Sequence, residues 1–119
     1  MAYIHIYGVN IVYDRWGEGP LRVLIARKAE DWRGCGWPEG YEYVAPDLPG
    51  NGRSQGAEGL EPDELAEYLL GMLVMMHATE AEIYAHPNAR AVGEYLSERV
   101  GVPVQPLEDC SPPDLERSS

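Results

Sequence analysis

The 119-residue chain is predicted to be a single α/β domain: a mostly parallel open sheet with an N-terminal antiparallel hairpin, flanked by helices. Three observations predict it. Strand-like runs and helix-like segments alternate from residue 21 onward, the order that builds a parallel sheet with helical connections. The run 21–26, Leu-Arg-Val-Leu-Ile-Ala, is almost continuously apolar, as a strand covered on both faces must be. Residues 3–7, Tyr-Ile-His-Ile-Tyr, alternate instead, and Gly8 divides them from a second strand-like run, which together make a hairpin.

Each element follows in order. Ile4 and Ile6 share one face of the first strand, with Tyr3, His5 and Tyr7 on the other. Residues 9–16 form the second strand, 17–20 a turn and 21–26 the third strand. The Gly- and Trp-rich segment 27–40 fits either a short helix or a loop. Residues 41–47 are a strand, and 48–56 a loop broken by glycine and proline. A helix is expected over 61–77. Pro62 suits its first turn, Asp63 and Glu64 complement its positive end, and Leu65, Leu69, Met72, Leu73 and Met76 make one buried face. A short strand at 81–85 leads into a helix over 88–100, which Gly101 caps. Pro103 and Pro106 confine a last strand to a sheet edge. The domain is expected to occupy 1–106, with 107–119 a loose tail.

Composition excludes several functions. With 9 Lys+Arg against 20 Asp+Glu, the net charge of −11 repels phosphate backbones, so neither nucleic acid nor an anionic membrane is an expected partner. The longest greasy stretch, 65–78, falls short of the roughly 20 apolar residues that span a bilayer. The N-terminus lacks the basic and long apolar regions of a secretory signal. Cys35 and Cys110 make no disulfide framework, so a reduced, cytoplasmic location is expected. No Cys or His pair has ligand-like spacing, and neither metal nor cofactor is expected.

The segment 41–54, Tyr-Glu-Tyr-Val-Ala-Pro-Asp-Leu-Pro-Gly-Asn-Gly-Arg-Ser, resembles the stretch that leaves the fourth strand of α/β-hydrolase-fold proteins, of the form D-x-x-G-x-G-x-S. Asp47, Gly50, Gly52 and Ser54 match it in register. The flanking elements match in order over about residues 9–105. The resemblance is to a minimised, C-terminally truncated member of that superfamily. Read on its own chemistry, the motif shapes a loop: its glycines permit a tight turn, and Asp47 and Ser54 can bond loop N–H groups. Arg53 either pairs with Asp47 or is solvated.

The resemblance places a nucleophile on a sharp turn between strand and helix, in G-x-S-x-G. Crowding there requires small residues two before and two after it. Centring on His86 or Asn88 puts large residues at those flanks, whereas centring on Pro87 puts Ala85 and Ala89 there. Pro87 therefore holds the nucleophile position. It has no nucleophilic group, and its fixed φ near −65° is incompatible with the positive φ of such a turn. The family's oxyanion His-Gly after strand three is replaced by Ala26 and Arg27, and no histidine follows His86. His5 and His77 have no evident partners, and surface roles are expected for both.

The expected function is therefore a non-catalytic, degenerate hydrolase-like protein with a binding, regulatory or structural role. The alternative is an enzyme with an unorthodox site: Cys35 as nucleophile, His86 as base and Asp47 orienting it. A third reading is a small-molecule binder whose polar contacts include Arg27 and His86. A homodimer is expected over 88–106. There Ala91, Val92, Tyr95 and Leu96 would present an apolar surface beside an uncovered sheet edge.

Overall fold

A computed structural model describes residues 2–56, 59–78 and 80–112. The alternating N-terminal run forms β1 (Ala2–Ile6), paired antiparallel with β2 (Val9–Gly17) so that Ile6 faces Val9. Only Tyr7 and Gly8 lie between them, with φ of 48° and 83°. Positive φ at both central positions makes the tight hairpin turn whose twist matches its strands.

β2 next pairs antiparallel with β4 (Glu42–Pro46), which lies parallel to β3 (Leu21–Ile25). β3 is also parallel to β5 (Glu82–Ala85), and β5 to the short edge strand β6 (Val104–Pro106). The sheet order is β1-β2-β4-β3-β5-β6. The mixed, mostly parallel sheet expected from the sequence is thus present, with β3 and β4 at its centre where their apolar runs require cover on both faces.

The two faces are covered by different means. On one, Val23, Ile25, Val44 and Ile83 pack against α1 (Pro62–Met75) and α2 (Arg90–Val100). α1 buries Leu65, Leu69, Met72 and Leu73, four of the five stripe residues read from spacing, while Met76 lies just past its end and is partly buried; Pro62 lies in its first turn. Gly93 lets α2 settle on the sheet, because a methyl group there would lie 2.8 Å from Ala85 Cβ and 3.1 Å from a Val104 methyl. Gly101, with φ of 80°, ends α2 by donating to Ser97 O. Val92 and Leu96 belong to this core, so they form no outer surface on α2; of the expected four, Ala91 and Tyr95 remain exposed.

The opposite face carries no helix longer than a 3-10 turn, Ala29–Trp32, among the described residues. Leu24, Tyr43, Ala45 and Tyr84 are covered there by Trp32, by Trp37 of the loop that follows, and by Leu107. Arg22 is buried in this aromatic layer, 2.7 Å from Glu82 and 3.5 Å over the Tyr41 ring.

A disulfide closes the layer. Cys35 and Cys110 are bonded, with Cα atoms 5.6 Å apart, which corrects the expectation of two reduced cysteines and removes the ground for a cytoplasmic location. The fold brings together two positions 75 residues apart that no sequence spacing connects. Residues 107–112 consequently stay on the body: Leu107 N–H donates to Ala85 O at 2.9 Å, and Trp37 Nε1 donates to Cys110 O at 3.0 Å. The remainder of the expected tail lies outside the described residues. No helix among them is long and apolar enough to cross a membrane.

Candidate functional site

The crevice opens at the carboxyl ends of β3, β4 and β5, where open α/β sheets place their ligands. β5 ends at Ala85, and His86 N–H carries its ladder one step further onto Ile25 O at 2.8 Å. Pro87–Ala89 form a 3-10 turn that runs into α2. His86 has φ −64° and ψ 149°, ordinary extended backbone. Among the described residues, the non-glycines with positive φ are Tyr7 and His77, so the junction holds no strained elbow. Pro87 instead starts a helical turn, a position its fixed φ suits.

An oxyanion hole in this fold is built from the N–H after the nucleophile and an N–H in the loop after the third strand. Here those groups belong to Asn88 and to residues 27–29, and all have protein acceptors. Asn88 N–H donates to His86 Nδ1 at 3.1 Å, and Arg27 N–H to Asn88 Oδ1 at 3.1 Å. Lys28 N–H donates to Asp31 Oδ2 at 3.1 Å, and Ala29 N–H to Asp47 Oδ1 at 2.7 Å. The Asn88 amide also donates to Asp31 Oδ2 at 2.9 Å, while its backbone carbonyl accepts from Arg27 Nε at 3.2 Å. Asn88 thus fills the place where a substrate oxygen would sit. Sequence reasoning weighed Asn88 only as a possible centre of the elbow and passed over Asp31. The available signal was position: Asn88 directly follows the lost nucleophile and so carries one of the two oxyanion donors.

The three residues of the unorthodox catalytic set are not assembled. The Cys35 sulfur is bonded to Cys110, so it offers no thiolate. The His86 ring lies edge-on to Trp32, with centroids 5.2 Å apart, and its Nδ1 lone pair is engaged by Asn88 N–H. That bond leaves the proton of the neutral ring on Nε2, away from a general-base role at Nδ1. Asp47 accepts from Ala29 N–H, from Arg53 N–H at 2.8 Å and from Arg53 Nε at 2.9 Å. Burial pushes its carboxyl up, but the bonds from Arg53 and from the backbone outweigh that and hold it below the ordinary aspartate value. The same pairing raises the Arg53 guanidinium. Arg53 bridges onward to Asp14 at 3.0 Å.

The 47–54 motif is therefore a structural clasp. Ser54 Oγ accepts from Val12 N–H at 2.8 Å and donates to Asp47 O at 2.6 Å, tying the loop to β2. Gly52 is required there: it has φ 50°, and any Cβ would lie 2.6 Å from Asp47 Oδ2. Ala26 is fully buried and serves packing. His5 is exposed with its ring on Asn10 Oδ1 at 2.8 Å, and His77 is exposed in the turn after α1. Among the described residues no group of three or more His, Cys, Asp or Glu side chains converges as a metal site would.

A cavity of about 490 Å³ lies beside this junction, between the loop after β4 and the starts of α1 and α2. Leu48, Leu60, Leu65 and Val92 supply apolar wall, and Arg27, Asn51 and Asn88 the polar groups. Arg27 thus lies where the binding reading placed it. His86 does not line the cavity and faces Trp32 instead.

Several solved structures share the architecture. This chain is similar to Cfl2 from Burkholderia cenocepacia, with a TM-score of 0.75 and 23% identity over 86% of this chain and 37% of that one. It is similar to the enol-lactonase from Burkholderia xenovorans LB400, with a TM-score of 0.74 and 18% identity over 87% and 44% of the two chains. The epoxide hydrolase VrEH1 from Vigna radiata gives 0.72 and 21%, over 85% and 36%. The chain thus spans between about a third and just under half of those proteins, and at these identities they define the fold alone. The chain has the α/β-hydrolase fold. The chain is also similar to the protein TT1977, whose crystal structure gives a TM-score of 0.87 and 36% identity over 98% of this chain and 93% of that one. No family model and no curated protein matches the chain.

Proposed function

We propose that this protein is a non-hydrolytic member of the α/β-hydrolase fold that holds a small molecule in the crevice without turning it over. One observation carries the reading. With Pro87 at the nucleophile position, both oxyanion donors, Asn88 N–H and Arg27 N–H, are engaged by His86 Nδ1 and Asn88 Oδ1. A hydrolase stripped of its triad but keeping its oxyanion hole retains roughly 10³-fold rate enhancement over water. This junction lacks that residue of catalysis as well, because a tetrahedral oxyanion would have to displace internal bonds to be stabilised. The cavity beside it is of a size that suits a small ligand, within the range of about 300–1,000 Å³.

The test is hydrolysis of short p-nitrophenyl esters. The rate is expected to equal the uncatalysed background at any protein concentration. Saturable turnover that disappears in His86→Ala would overturn the reading.

A homodimer is part of the proposal. The expected surface over 88–106 retains Ala91, Tyr95 and the β6 edge. On a second surface Tyr7, Val74 and Met75 lie together and are 67%, 54% and 62% exposed, against 41% for Tyr95. That difference favours the face formed by the hairpin and α1.

A further inference from the structure

We infer that the crevice takes a monocarboxylate with an apolar tail, the carboxylate on Arg27 and the tail between α1 and α2. The inference rests on the binding reading above and adds the chemistry of the ligand.

The charge of the wall is the first argument. The whole chain carries 20 acidic against 9 basic residues, yet among the described residues lining the cavity the single charged side chain is Arg27. A cavity drawn at random from this surface would more often carry a carboxylate. The second is the state of that arginine. Arg15, Arg22, Arg53 and Arg99 each hold a carboxylate. Arg27 makes no ion pair with a described residue. It is held through Nε by the Asn88 carbonyl, at 3.2 Å. That bond fixes the guanidinium plane and leaves the two terminal nitrogens to form the paired donor fork that suits a carboxylate. Asp31 stands behind Asn88 and outside the lining residues, engaged by Lys28 N–H and the Asn88 amide. The third argument is the rest of the wall. Leu48, Leu60, Leu65 and Val92 offer an apolar slot and no second cation, which fits one anionic head and a hydrocarbon body rather than a dicarboxylate or a sugar phosphate.

The test is a titration followed by methyl and amide NMR shifts, with octanoate, 1-octanol, octylammonium and acetate as probes. Octanoate is expected to saturate, moving the methyl signals of Leu48, Leu65 and Val92. 1-Octanol and acetate should bind at least about tenfold more weakly, the loss of one charge-assisted pair or of the tail. Arg27→Gln should bring octanoate to the level of 1-octanol, and Arg27→Lys should keep part of the preference. Arg27 is exposed, so neither change threatens folding. Ala91→Trp, at an exposed position on the cavity wall, should block octanoate and 1-octanol alike. Equal affinity for octanoate and 1-octanol, or tighter binding of octylammonium, would overturn the ligand class while leaving the binding reading intact. Shifts confined to Val74 and Met75 would place binding on the other apolar surface and refute the site. Absence of binding by every probe would remove both the inference and the binding reading.

Discussion

At position 88 one amide side chain accepts from Arg27 N–H and donates to Asp31, while the N–H of the same residue is held by His86. Restoring a hydroxyl next to this network supplies an atom without its machinery. Pro87→Ser is therefore expected to stay unlabelled by a fluorophosphonate, since the turn keeps ordinary backbone angles, both oxyanion donors remain engaged and His86 Nδ1 has no free lone pair. Rapid labelling would show that the turn can still adopt the strained state. Asp47 gives a second prediction, whose sign follows from its depressed carboxyl. A group with a lowered folded value contributes stability above its unfolded value of about 3.9, and that stability is lost as pH falls through the folded value. Asp47→Asn should cost about 1–3 kcal/mol at pH 7, mainly through its bonds from Ala29 and Arg53 N–H. The Arg53 side chain is 41% exposed, so water screens its share. In urea unfolding the gap between wild type and Asp47→Asn should narrow below about pH 4. A gap unchanged down to pH 2.5 would mean that neutral Asp47 serves as well. The loop-shaping role of Asp47 and Ser54 was legible because short polar side chains among glycines have few other uses. The role of Asn88 was not, because an asparagine after a proline fits any turn.

The elements differ in how openly the sequence declares them. α1 was legible because its Leu and Met residues recur at the spacing of one helical face, and Pro62 marks its start. β3 was legible because a central strand must be apolar on both sides. The layer on the opposite face was not, since it follows no period. It is built from Trp32, Trp37 and Leu107, drawn from a loop and from the segment after β6, and it forms only when the sheet brings them together. The disulfide belongs to that layer, and it was missed for the same reason. Closing a loop across 75 residues removes unfolded-chain entropy worth roughly 4.5 kcal/mol in the chain-entropy account, and measured values run about 2–5 kcal/mol. Cys110→Ser, or reduction by dithiothreitol, should therefore lower the melting temperature by on the order of 10 °C and change the emission of Trp37, whose indole N–H donates to Cys110 O. An unchanged melting temperature on full reduction would show that Leu107 and the aromatic packing hold the segment unaided.

At the scale of the whole molecule, β1 and β6 are the edges of the sheet among the described residues, and Tyr7, Val74 and Met75 are exposed together at one end. β6 is three residues long and ends at Pro106, and Pro103 precedes it. Proline has no N–H to offer a partner strand, so this edge is a poor template for pairing. α2 turns Val92 and Leu96 inward and leaves Tyr95, whose ring lies 5.5 Å from the Arg99 guanidinium. The other end is different. Tyr7 sits at the tip of the β1–β2 turn with its ring edge-on to Tyr68, 5.7 Å away, and Val74 and Met75 continue the surface along α1. A self-complementary apolar patch is satisfied most simply by a twofold pair, in which both copies bury the same residues. The protein is therefore expected at twice its 13.2 kDa mass by light scattering at micromolar concentration. Val74→Glu with Met75→Glu should convert it to monomer, since each change would place a charge in an interface that desolvates it. Both positions are exposed on α1, so the variant should fold with its melting transition little changed. Tyr95→Glu should leave the dimer intact. If Tyr95→Glu dissociates it and the α1 pair does not, the interface is the 88–106 surface instead. A monomer mass at all concentrations would refute the dimer and leave the patch to a different protein.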